Sequence, residues 1–72
     1  MKIVAFFPSA NTELKYYLCS REGNVGYLHE NRDFAARFDN RLIAMAVTDW
    51  FVKRHTNMKT VYCAAQFEEV EE

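Results

Sequence analysis

Seventy-two residues, 50% hydrophobic and 15% aromatic, carry nine Lys and Arg against ten Asp and Glu, for a formal charge of −1. That length makes one domain, and the near-neutral balance argues against a dedicated nucleic-acid binder. No apolar run approaches the ~20 residues that cross a membrane, and MKIVAFFPSA lacks the length and cleavage context of an export signal, so a soluble, cytoplasmic protein with no membrane partner is expected.

Lys2 to Phe7, KIVAFF, is β-branched and aromatic and stops at Pro8, which has no N–H for a central ladder; it is predicted as the first strand. After the turn-forming Ser9-Ala10-Asn11-Thr12, Glu13 to Ser20 has strand composition with partial alternation, and Val25 to His29 follows as a third strand. Between these two, Arg21-Glu22-Gly23-Asn24 supplies the Gly and Asn that accept positive φ, so an antiparallel hairpin is predicted. Glu30 to Phe38 is either an early helical turn capped by Asn31 or Asp33, with Phe34 and Phe38 as its buried side, or an irregular link.

Asp39 to His55 is the stretch whose length and periodicity predict a helix. Asp39 or Asn40 can cap it, and Lys53, Arg54 and His55 place positive charge where the macrodipole is negative. At 100° per residue, Leu42, Ile43, Ala46, Val47, Trp50 and Phe51 share one broad face, which is predicted to be core, with Trp50 as its anchor. Arg41, Thr48 and Asp49 lie opposite. Met45 and Val52 fall among them, one heptad apart, as surplus apolar residues.

Thr56-Asn57-Met58 breaks the helical pattern, and Lys59 to Phe67, KTVYCAAQF, is predicted as a fourth strand. The expected fold is α+β in βββαβ order: a single-layer antiparallel sheet of about four strands packed on one amphipathic helix. The domain is assigned to residues 1–67, and 68–72 reads as a short acidic C-terminal tail. Glu68, Glu69, Glu71 and Glu72 lie in that tail, leaving nine bases against six acids in the body.

Such a small core supplies roughly 3–5 kcal/mol of net stability unaided. Cys19 and Cys63 lie in strand-like runs and are expected to be reduced, buried thiols rather than a disulfide. Cys19, His29, His55 and Cys63 are zinc-type ligands without the paired spacing of a zinc site, and the two glycines form no phosphate-binding loop. A nucleophilic Cys19–His29 pair across the hairpin has no evident oxyanion hole. No cofactor, metal or enzymatic activity is therefore expected.

Period-two alternation sorts the sheet into two faces, provided no bulge resets the parity. Ile3, Ala5, Phe7, Leu18, Tyr27, Ala65 and Phe67 belong to the more apolar set, under the helix. The other face would carry Val4, Phe6, Tyr17, Cys19, Leu28 and Tyr62 beside Lys15, and one helix cannot cover both. The expected interface is thus Phe6, Tyr17, Tyr62 and Lys15 on an open sheet, occupied by a partner or by a second copy in a homodimer. Met45, Val52 and Arg41 on the outer helix form the competing interface. A third expectation, nucleic-acid binding, uses Arg37, Arg41, Lys53 and Arg54 with sheet aromatics.

In size and layout alone, a βββαβ domain of this kind resembles the small accessory inhibitors encoded by bacteriophages, including anti-CRISPR proteins. That resemblance implies a non-catalytic protein-interaction module, active in the host cytoplasm, that blocks a surface of a larger protein or ribonucleoprotein complex. An RNA- or DNA-binding regulator is the alternative.

Overall fold

A computed structural model describes residues 1–21, 24–55 and 58–71. The predicted turn at Glu22-Gly23 and the break at Thr56-Asn57 lie outside the described residues. The strands β1 (Lys2–Pro8), β2 (Lys15–Arg21), β3 (Asn24–His29) and β4 (Gln66–Val70) form one sheet in the order β3-β2-β1-β4, antiparallel throughout. Between β3 and β4 come a 3-10 turn (Arg32–Phe34), the helix α1 (Arg41–Arg54) and a single helical turn α2 (Met58–Val61). The α+β architecture and the β2–β3 hairpin are as predicted.

β1 is the central strand, and Ile3 through Phe7 are all buried. An apolar run without alternation is what a strand covered on both faces requires. Ile3, Ala5, Phe7 and Leu18 meet Phe38, Ala44, Phe51 and Met58 on the α1 side. Val4, Phe6, Tyr17 and Cys19 meet Ala35 and Val70 on the other.

The second cover arises from a fork in the sheet. β1 and β2 pair at Phe6–Tyr17, Phe7–Tyr16 and Pro8–Lys15, and the chain from Ala35 to Phe38 fills the space beyond. Ala36 N–H donates to the Leu18 carbonyl at 2.9 Å, while Ile3 and Phe38 exchange two hydrogen bonds of 2.8 Å. Ala35 packs toward one face, and Ala36 and Phe38 toward the other. The segment therefore lies in the sheet, with the 3-10 turn on one side and α1 on the other. Both alternatives considered for Glu30 to Phe38 hold in part: Asn31 Oδ1 caps a 3-10 turn by accepting from Asp33 N–H, and the rest is extended.

Three expectations are corrected. The fourth strand is not Lys59 to Phe67, because Met58–Val61 coil and Cys63 N–H donates to the Pro8 carbonyl at 2.7 Å, so the strand starts only at Gln66. The acidic stretch is consequently not a tail: Glu68, Glu69 and Val70 pair with Val4, Ile3 and Lys2. In β3, Cys19 faces Tyr27 while Ser20 faces Val25, leaving Gly26 over as a bulge. That extra residue inverts the parity, so Leu28 packs on the α1 side and Tyr27 on the other.

Candidate interaction surface on α1

α1 begins where Asn40 Oδ1 accepts from Ile43 N–H at 2.9 Å, and it ends where the His55 ring stacks on Phe51, with Nδ1 2.8 Å from the Phe51 carbonyl oxygen. Its inward line is Ala44, Thr48 and Phe51, not the broad apolar arc. Ala44 is small enough to approach the sheet closely, and Phe51 fills the space against Phe7, ring centroids 6.3 Å apart. Thr48, expected on the polar side, is buried, and its hydroxyl has no hydrogen-bond partner among the described residues. The physical cause is the tether: Phe38 is pinned to Ile3 two residues before the cap, so the helix lands on the sheet at a phase set by that anchor.

The arc predicted to be core faces out instead. Leu42 is 78% exposed, Trp50 48% and Ile43 44%, with Ala46 exposed between them. Trp50 is thus not the anchor of the helix; its ring carries the Arg54 guanidinium 4.7 Å from the centroid. At roughly 100° per residue, Leu42, Ala46, Trp50 and Ile43 fall within an arc of about 100°. No side chain of the described chain is assigned to a buried cluster with Leu42, Ile43 or Trp50.

Beside this ridge runs an apolar groove between α1 and the chain leading into β4. One end, about 420 Å³, is lined by Phe7, Val52, Met58, Tyr62, Cys63 and Ala65 among others. The other end, about 460 Å³, shares Val52 and Ala65 and adds Met45, Thr48 and Phe67. Arg41 holds its guanidinium 6.0 Å from the centroid of the Phe67 ring. The three residues expected on the outer helix, Arg41, Met45 and Val52, are brought together along this flank.

The expected sheet interface is not assembled. Phe6 and Tyr17 are 7% and 5% exposed, their rings 5.6 Å apart under the cover at Ala35. Tyr17 Oη–H donates to Glu68 Oε1 at 3.3 Å, and Glu68 also pairs with Arg32 Nε at 3.3 Å, which ties the 3-10 turn to β4 across that face. Lys15 places its ammonium 4.8 Å from the Phe6 centroid. Tyr62 lies on the opposite side, against Phe7 and Tyr16, because the chain from α2 joins the end of β1 instead of forming a strand.

The four residues of the nucleic-acid expectation are dispersed as well. Arg37 lines a pocket of mixed charge with Arg32, Asp33, Glu69 and Glu71, Arg41 sits by Phe67, Lys53 pairs with Asp49 at 3.0 Å, and Arg54 covers Trp50.

Reactive side chains have structural employment. Burial pushes the Cys19 thiol above its ordinary pKa, against a smaller opposing effect of a His29 backbone hydrogen bond, and its sulfur donates to the Tyr17 carbonyl at 3.2 Å. His29 Nδ1 accepts from Asn31 N–H, so the ring is turned to the loop rather than to Cys19. Both cysteines are free, but Cys63 is exposed, contrary to expectation, since the strand that would have buried it is absent. Among the described residues no group of three or more His, Cys, Asp or Glu is placed to hold a metal ion, and no helix is long and apolar enough to cross a membrane.

The signal for the α1 ridge was present but misassigned. Ala44, Thr48 and Phe51 form an i, i+4, i+7 line that is itself a valid buried stripe, only less apolar than its neighbour. Comparison with family models, with curated proteins and with solved structures finds no match.

Proposed function

We propose that this chain is a non-catalytic protein-interaction module whose contact surface is carried by α1, on its outer ridge and the groove along its flank, and that it acts by blocking a surface of a larger protein or ribonucleoprotein in the manner of a phage-encoded inhibitor. The observation that carries the reading is the outward setting of Leu42, Ile43 and Trp50. Aromatic and long aliphatic side chains grouped in this way mark docking surfaces, because covering them gains roughly 25 cal/mol per Å² of apolar area. The engagement of Cys19, His29 and His55 in structural bonds favours a binding role over a catalytic one.

The test is affinity capture with the tagged full chain from its native cells, with and without nuclease, alongside Leu42→Asp. Protein captured in the presence of nuclease and lost with Leu42→Asp is the expected result. Capture that survives Leu42→Asp would move the surface elsewhere, and capture abolished by nuclease would turn the reading to nucleic acid.

A further inference from the structure

We infer that the outer face of α1 is the interface of a symmetric dimer, in which the helices of two copies cross antiparallel at Ala46. This rests on the reading of α1 as an interaction surface and names its first occupant as a second copy of the chain.

A two-fold interface must be self-complementary, so that residue i meets residue j and j meets i. Ala46 is the small residue of the ridge, with Leu42 four positions before it and Trp50 four after. An antiparallel crossing at Ala46 therefore sets Leu42 of each copy against Trp50 of the other, twice. Arg54 is already at the Trp50 ring, and Leu42, at 78% exposed, is free to meet the rest of it.

Charge selects the same orientation. The N-terminal end of α1 carries Asp39, whose side chain is 72% exposed although it pairs with Lys2, and the C-terminal end carries Lys53 and Arg54. Asp39 and Lys53 are each seven residues from Ala46, so the antiparallel arrangement brings acid to base at both ends. A parallel arrangement would set base against base and align the two helix dipoles unfavourably.

The area is sufficient as well. A standard interface takes about 800 Å² per partner, about a sixth of the 5046 Å² surface. Fourteen residues of α1 extend about 21 Å, close to the full width of a molecule measuring 31 × 24 × 22 Å. The ridge with its charged ends therefore spans the face. Oligomerisation is also a recurring source of stability for domains of this size.

The experiment combines mass in solution, emission of Trp50, and cross-linking, all on the full chain. Trp50 is the single tryptophan, so its emission should shift to shorter wavelength as concentration rises and mass doubles. Leu42→Asp should hold the protein monomeric with red-shifted emission and an unchanged far-ultraviolet circular dichroism spectrum.

Helices packed about 8 Å apart, each with Cα atoms about 2.3 Å from its axis, bring the two Ala46 Cα atoms within disulfide reach. In a Cys63→Ser background, Ala46→Cys should oxidise to a covalent dimer. Leu42→Cys and Trp50→Cys should cross-link when mixed but not singly. If Leu42→Asp did not fold, the cross-links would decide.

A protein that stays monomeric to about 1 mM with unchanged Trp50 emission overturns the dimer, as does a dimer that survives Leu42→Asp. The reading of α1 as a docking surface for other proteins falls separately, when capture is insensitive to Leu42→Asp.

Discussion

β1 and α1 are both rich in apolar residues, and the fold uses them in opposite ways. Every residue from Ile3 to Phe7 is buried, on two faces and under two covers, whereas the apolar arc of α1 is left outside and a line of small and polar residues goes in. A central strand has no choice of side, since both sides are interior. A helix on a sheet has one inner side, and which one is decided by where its ends are fastened.

The largest test of this contrast sets Tyr17→Asp against Leu42→Asp. An unpaired carboxylate at Tyr17 would sit in the buried cluster with Phe6, Val4 and Cys19 and cost several kcal/mol, on the order of the whole stability. Tyr17→Asp is therefore expected to unfold the chain by circular dichroism, and Leu42→Asp to leave it folded. A folded Tyr17→Asp would show that the second face is open after all.

Within α1, Phe51→Ala should cost about 3–5 kcal/mol in urea denaturation, because it empties the site against Phe7. Trp50→Ala should cost less than about 1 kcal/mol, as expected of a surface substitution, when measured at concentrations where the chain is monomeric. The reverse order would mean that α1 lies on the sheet with its apolar arc inward.

Thr48→Val sharpens the same comparison on a smaller scale. A buried hydroxyl without a partner costs about 1–3 kcal/mol, and valine has the same shape without it. The variant is expected to raise the urea midpoint by the equivalent of about 1 kcal/mol; a loss of stability would show that the hydroxyl is bonded.

The smallest effect belongs to the exposed Lys2–Asp39 pair, which joins the start of β1 to the approach of α1. The Lys2 hydrogen bond, and after it the Lys2 charge, hold the Asp39 carboxyl below its usual pKa. A depressed carboxyl contributes stability above its unfolded pKa of about 3.9 and loses it as pH falls through the lower folded value. The melting temperature of Asp39→Asn should thus be slightly below that of the unsubstituted chain near neutral pH, and the two should converge in acid.

The sequence alone determined what depends on near neighbours. The Asn40 cap, the basic end of α1, the hairpin, the halt of β1 at Pro8 and the two-face alternation of Ile3 to Phe7 are local chemistry and could be read from adjacent residues. Periodicity, however, fixes only which residues share a side, and leaves open which side is inside. Long-range attachments made that choice: Phe38 held to Ile3 set the phase of α1, the fork filled by Ala35 to Phe38 closed the second face, and Cys63 held to Pro8 delayed β4 to Gln66. Each joins segments far apart in the chain, and no pattern within one segment encodes the position of the other.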